Sequence, residues 1–286
     1  MTTAVVVGAG WIGRAIAESL GVTALSRRTF RPASLPPGRS VVVASGRSII
    51  PRGEGLATPL AAELAHLRIV MDAAERAGAP RIIVLGSSDV AGMAPVIDGR
   101  TDQQPRTNYA LIKAALEDEC VARHSRGIPV TCVRLAPVHG RGKQRTSSLV
   151  SLSRLPIIPV PSGGHHSTGF VLLADAVRAI EWLLEHPAPA VQSVGAGPTS
   201  MRLLLQILAQ AQGRRTRCVS IPFPATLVGS LCGQRGPDHL QWLLRLSCSR
   251  SVEMDPPLSP TPLPAAVRSL VSGRSNPVLH GVAARG

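Results

Sequence analysis

Aromatic side chains are scarce in this chain of 286 residues: three Phe, three Trp and a single Tyr. Lysine is scarcer still, with Lys113 and Lys143 alone among 31 basic residues. Acidic residues number only 17, which leaves a formal net charge of +14. A nucleic-acid module interleaves a basic stripe with aromatics on which bases stack. Here the arginines are spread from Arg14 to Arg285 and the aromatics are nearly missing. The charge therefore argues against nucleic acid and for attraction of anionic small molecules.

Cysteine is equally uninformative as a framework. Cys120, Cys132, Cys218, Cys232 and Cys248 are odd in number and never spaced as C-x-x-C, which excludes a zinc knuckle and a closed disulfide frame. They read as reduced thiols, and no metal site is expected. No apolar run reaches the 18 residues a membrane helix needs, so no membrane partner is expected. The first apolar run is broken by Gly8, Gly10 and Gly13 and carries Arg14, which does not fit a signal peptide. Together these point to the cytoplasm.

What is present is an alternation of strand and helix patterns. Ala4 to Gly8, Val22 to Ser26, Ser40 to Ser45, Arg81 to Gly86 and Pro129 to Leu135 read as strands, with helices predicted over Ile12 to Leu20, Pro59 to Ala77 and Thr107 to Arg126. Such alternation implies a doubly wound α/β domain of the Rossmann type, with a parallel sheet covered on both faces. Past Pro137 come a glycine- and arginine-rich loop, Gly140 to Thr146, and a Pro/Gly-rich connection through Gly164. Phe170 to Leu173 and Val191 to Val194 then read as strands, and Ala174 to Glu185, Ser200 to Gln212 and Ala265 to Ser272 as helices, with two or three looser helices between the last two. The division expected is a dinucleotide domain over 1–145, a smaller C-terminal substrate lobe over 146–272 and a frayed tail over 273–286.

Gly8-Ala9-Gly10-Trp11-Ile12-Gly13 has the G-x-G-x-x-G form between a strand and a helix. The first glycine permits the turn, the second lets a pyrophosphate approach backbone N–H groups, and the third lets helix pack on strand. Ser26-Arg27-Arg28 ends the second strand with no acid nearby, which favours NADP(H) over NAD(H), because arginines accommodate a 2′-phosphate. Ala44, at the end of the next strand, is placed in the same cofactor set.

Tyr109 stands four residues before Lys113 at the start of a helix, which puts phenol and ammonium on one face a single turn apart. There the cation favours the phenolate and makes the phenol a proton donor. Ser87, with Ser88 and Asp89, follows the strand Arg81 to Leu85 at the carboxyl edge of the sheet, where open α/β folds bind ligands. A hydroxyl there can hold a substrate carbonyl oxygen while Tyr109 delivers its proton.

These segments resemble the short-chain dehydrogenase/reductase family in its extended or atypical form, the NAD-dependent epimerase/dehydratase group. The resemblance rests on Val84-Leu85-Gly86-Ser87-Ser88 with Gly92, on Pro105 to Lys113, on Val133-Arg134-Leu135-Ala136-Pro137-Val138-His139-Gly140 and on Phe170 to Val177. Val194 to Gly197 and Leu258-Ser259-Pro260 are weaker landmarks. It implies Ser87 as carbonyl polariser, Tyr109 as acid/base, and Lys113 as ribose ligand and modulator of the tyrosine. It also implies a homodimer through Thr107 to Arg126 and Pro59 to Ala77. For the substrate lobe, Val138, His139, Arg141, His165, His166 and Thr168 are the expected wall residues.

Four departures shape the expected function. The glycine loop is not the family's usual G-x-x-G-x-x-G, and Arg28 to Ser40 leaves no room for a full third strand and helix, so the dinucleotide domain is abbreviated. Thr168 stands where nucleotide-sugar enzymes carry a diphosphate-holding arginine, and Ser87-Ser88-Asp89 replaces the Thr-Asp-Glu of dehydratases. The expectation is an NADPH-dependent ketoreductase acting on a small-molecule carbonyl. The alternatives are an epimerase or dehydratase of a (nucleotide-)sugar that retains its NAD(P), and a non-catalytic dinucleotide-binding sensor.

Overall fold

A computed structural model of the protein describes residues 4–46, 55–221, 250–255 and 257–271. The expected tail over 273–286 and the looser helices before residue 250 lie outside the described residues. Packing divides the chain into two compact units. The first comprises Met1–Gly92, Asp98–Leu135 and Val177–Val194, and the second Met93–Ile97, Ala136–Ala176 and Gly195–Gly286.

The first unit is built on a six-stranded sheet. Its strands are β1 (Ala4–Val7), β2 (Ala24–Leu25), β3 (Ser40–Val43), β4 (Ile82–Leu85), β6 (Val130–Leu135) and β10 (Val191–Val194). They lie in the order β10-β6-β4-β3-β1-β2, and every pairing is parallel. The inner strands β1, β3 and β4 are mostly Val, Ile and Leu, as a sheet covered on both faces requires, and β6 is buried throughout although it carries Thr131 and Arg134. Helices α1 (Trp11–Ser19), α2 (Ala57–Arg76) and α3 (Asn108–His124) connect them. Val70 and Met71 of α2, Leu116 and Cys120 of α3, and Val41, Ile82, Val84, Val130 and Cys132 of the sheet share one core.

Because β1 lies between β2 and β3, the chain changes winding direction there, and the crevice outside the ends of β1 and β3 is the switch point at which such sheets bind ligands. Between β2 and β3 the chain forms only a short 3-10 turn, Pro32–Ser34. The third strand and helix of a full dinucleotide domain are missing, as the spacing predicts.

The second unit holds three two-stranded parallel pairings. β5 (Val96–Ile97) pairs with β12 (Ser251–Val252), β7 (Val138–His139) with β9 (Val171–Leu172), and β8 (Ile157–Pro161) with β11 (Arg217–Ile221). Helices α4 (Gln144–Leu152), α6 (Met201–Ala211) and α7 (Leu263–Val271) pack around Phe170, Leu172, Leu204 and Leu208. α5 (Leu173–Glu185) begins in this unit. Its Asp175 accepts from both the backbone N–H of Thr261 (3.0 Å) and its hydroxyl (2.5 Å), tying the proline-rich segment down.

Two elements correct the expectation of loops through Gly164. Gln144–Leu152 is helical although five of its nine residues are Gln, Arg, Thr or Ser before Leu149, because Leu149 and Leu152 bury against Ile158, Val160 and Leu205. Ile157–Pro161 is a strand despite Pro159 and Pro161, since it needs only one partner, β11.

Candidate active site

At the first turn, two glycines are demanded by the protein's own packing. Gly8 has φ of 129°, and a Cβ on it would come 2.3 Å from the carbonyl carbon of Ala44 and the amide nitrogen of Ser45. A Cβ on Gly13 would lie 1.8 Å from the Gly8 oxygen. Gly10 differs: a Cβ there would meet nothing within 4 Å. It is the exposed N-cap of α1, its φ of −74° is ordinary, and the helix's first turn holds no acid. Trp11 and Ile12, both half-buried, follow it. The open space at Gly10, at a helix start with no side-chain cap and no acid, therefore reflects no packing requirement and fits an anionic dinucleotide.

After β2, the Ser26 hydroxyl accepts from the Thr29 amide (3.2 Å) and the Ser26 amide donates to the Thr29 hydroxyl (2.9 Å). This turn presents Arg27 and Arg28. Arg28 is exposed, whereas Arg27 forms an ion pair with Glu63 of α2. Glu63 was not expected at the site; a lone acid in an amphipathic helix gives no signal in the sequence. Ala44 continues β3, its amide donating to the Val7 carbonyl at 2.8 Å.

Thr107 caps α3 by accepting from the Ala110 amide at 2.9 Å, which sets the helix to begin just before Tyr109. Tyr109 is half-buried, and the Lys113 Nζ lies 6.0 Å from its ring centroid. That buried ammonium donates to the Leu85 carbonyl at 3.0 Å, the last residue of β4 and two before Ser87. The lysine thus ties the tyrosine's helix to the strand that delivers the serine. Ser87 caps the 3-10 turn Ser88–Ala91, its hydroxyl accepting from the Asp89 amide at 3.2 Å. Ser88 is 1% exposed and Asp89 half-buried.

One turn beyond Lys113, Glu117 holds Arg134 of β6 through two hydrogen bonds of 2.9 and 2.6 Å, both side chains being buried. The remaining Arg134 N–H groups reach the carbonyls of Asp98 (3.0 Å) and Thr101 (2.6 Å). The loop so fixed donates from the Gln104 amide to the Val90 carbonyl at 2.7 Å, bracing the turn that carries Ser87 to Asp89. Cys120 and Cys132 are free and buried in this packing, and a hydrogen bond to Cys132 and burial raise the Cys120 thiol well above its ordinary range.

In the second unit, Thr168 and His139 meet at one cavity of about 140 Å³, walled by Leu149, Leu152, Met201 and Leu204, with Arg145 and Ser148 completing the lining. His139 is stacked on Phe170 with centroids 5.0 Å apart. Burial, and secondarily the Arg145 charge, lowers its pKa from 6.5 to about 4, so the imidazole is neutral. Val138, exposed His165 and half-buried His166 do not line this cavity. Arg145 and the α4 leucines escaped the sequence reading because α4 itself did.

The sequence pattern of the NAD dependent epimerase/dehydratase family matches residues 39–195, more than half of the chain. The chain belongs to that family. Among curated proteins none matches it in sequence. Solved structures of similar fold include RMD from Pseudomonas aeruginosa complexed with NADPH, at 20% identity and TM-score 0.69, covering 95% of this chain and 98% of that one. A human epimerase family protein with NADPH gives 18% identity and TM-score 0.68, over 95% and 100% of the two chains. The Thermus thermophilus UDP-glucose 4-epimerase complex with NAD gives 18% and 0.64, over 98% and 99%. As a member of this family the chain is an NAD(P)-dependent enzyme of the extended short-chain dehydrogenase/reductase class, and its six parallel strands are the family's Rossmann-like sheet. Among the described residues, no helix is long and apolar enough to cross a membrane.

Proposed function

We propose that this protein is an NADPH-dependent ketoreductase of a small-molecule carbonyl. The observation that carries the reading is the Lys113–Leu85 hydrogen bond, which brings the Tyr109 helix to the strand bearing Ser87. The Ser87 hydroxyl holds the substrate oxygen, Tyr109 delivers a proton to it, and Lys113 orients the ribose side and the phenol. Gly8, Gly10, Trp11, Ile12, Gly13, Ser26, Arg27, Arg28 and Ala44 would hold NADP(H), which supplies the hydride when bound. The arginine pair after β2 supports NADP(H) over NAD(H).

Residues 1–145 would then serve the dinucleotide and 146–272 the substrate, with Ser88, Asp89, Val138, His139, His165, His166 and Thr168 on the substrate side. Thr168 in place of an arginine supports a substrate other than a nucleotide sugar. Dehydration needs an acid where buried Ser88 stands, which supports reduction instead. Exposed Ile69, Leu111 and Val121 on α2 and α3 support a homodimer through those helices, and the buried free thiols suit the cytoplasm.

The family match favours one other reading, an epimerase of a (nucleotide-)sugar that keeps its NAD(P) and returns the hydride. Product formed without net NADPH consumption would decide for it. For either, Tyr109→Phe should lower turnover by about 10²–10⁴-fold while NADPH binding, followed by fluorescence, stays within about twofold. Unchanged turnover of a true substrate would remove Tyr109 from the mechanism.

A further inference from the structure

Glu63 is a buried acid in a site otherwise selected for anions. Its side chain is 2% exposed and its carboxylate is ion-paired with Arg27, whose side chain is 35% exposed. The pair runs from the end of β2 to the helix after β3, while β1 is the strand between those two. It therefore bridges the switch-point edge of the sheet. The loop after β3 confirms the placement: a Cβ on Gly46 would lie 3.2 Å from the Lys113 Nζ and 3.8 Å from the Glu63 Oε2. His66, three residues on from Glu63, shares a 2.8 Å hydrogen bond with the Ser45 hydroxyl. Burial, then the nearby Arg27 charge, lowers its pKa, and Glu63 opposes them. The Glu63 carboxylate, the Arg27 guanidinium and the Lys113 ammonium are thus gathered where the dinucleotide is expected.

We infer that Glu63 is a specificity-determining residue that competes with a 2′-phosphate for the Arg27 guanidinium, so that the Arg27–Glu63 pair sets the preference between NADP(H) and NAD(H). The inference rests on the dinucleotide reading above. A 2′-phosphate that uses Arg27 must share the guanidinium with a buried carboxylate, which holds one of its nitrogens and part of its charge. Whatever part of the carboxylate's field remains repels the phosphate. A ribose 2′-hydroxyl makes no such demand and leaves the pair intact. Arg28, also exposed, is the neighbouring arginine whose charge Glu63 does not pair in this way.

The test is a fluorescence titration of the full chain with NADPH and with NADH, using wild type, Glu63→Gln, Arg27→Ala and the double variant. Glu63→Gln should tighten NADPH by about fivefold and leave NADH within about twofold. Arg27→Ala should weaken NADPH alone, and in its background Glu63→Gln should have no further effect. Weaker NADPH binding in Glu63→Gln, an equal change for NADH, or an effect that persists without Arg27 would overturn the inference while leaving the dinucleotide reading standing. A wild-type chain that binds neither dinucleotide would overturn both. Should Glu63→Gln lose its fold, seen as lost NADH binding, Glu63→Asp withdraws the carboxylate by one methylene and must shift the NADPH/NADH ratio in the same direction.

Discussion

The two units build their candidate sites by different means. In the first, the glycine loop, Ser26 to Arg28, Ala44, Ser87 and Tyr109 lie at or just past the end of a strand or the start of a helix, within short motifs whose backbone geometry is dictated locally. In the second, the cavity is walled by side chains from α4, α6 and the loop before β9, brought together only by packing. The difference teaches how each is vulnerable: a site made by local backbone geometry fails at single backbone positions, while a cavity made by packing can be reshaped one wall residue at a time.

The harshest way to break that contrast is at Arg134. Its pairing with Glu117 is buried and its bonds to two loop carbonyls are half-buried, so Arg134→Ala leaves the buried carboxylate without its ion-pair partner and the two carbonyls without this donor. The expected loss is about 3–5 kcal/mol of stability, read as a lower urea midpoint, with the Ser87 turn loosened as well. A loss under about 1 kcal/mol would mean that the 98–104 loop is not what braces the site.

The glycine loop sharpens the comparison within a single motif. Gly13→Ala should destabilise the chain by about 3 kcal/mol or more, because its Cβ would sit inside the Gly8 carbonyl. Gly10→Ala should cost no more than about 1 kcal/mol, since only the cap preference changes, yet weaken dinucleotide binding about tenfold or more. Thermal unfolding and NADPH titration of the two variants separate a glycine kept for packing from one kept for a ligand. Equal effects on both measurements would erase the distinction.

What the sequence disclosed follows the same line. β1, β3, β4 and β6 are legible as β-branched, largely apolar runs, β10 as a short segment with Val at both ends, and α1 to α3 as periodic ones, each found within about two residues because local pattern and burial agree. The Ser87, Tyr109 and Lys113 set can be proposed from residue types and spacing alone, and the fold adds the Lys113–Leu85 hydrogen bond that brings the helix of Tyr109 to the strand before Ser87. α4 is not: its polar first turns hide a helix whose stability comes from Leu149 and Leu152 packing on distant residues. The two-residue strands β5, β7 and β12 have no period to detect, and β8 is masked by its prolines. Glu63 and Glu117 are acids on helices that only the fold turns toward the site.

The smallest expected effect tests whether the second unit's packing is as rigid toward charge as the first's. The pKa of His139 is lowered to about 4 in the folded chain, mainly by burial. Above pH 6.5 the imidazole is neutral whether folded or unfolded, and its contribution to stability is fully present. As pH falls below 6.5 the unfolded chain takes up the proton and the folded chain does not, so stability is lost progressively down to about pH 4. Between pH 7 and pH 5 this amounts to about 2 kcal/mol. His66 in the first unit is shifted in the same direction, but there Glu63 opposes the fall, so its acid sensitivity is weaker. His139→Gln should therefore flatten most of the drop in urea midpoint between pH 7 and pH 5, and His66→Gln little of it. If the two variants lost stability with acid in parallel with the wild type, His139 would have to accept its proton as readily in the folded chain as in the unfolded one, and its burial against Phe170 could not be what holds it neutral.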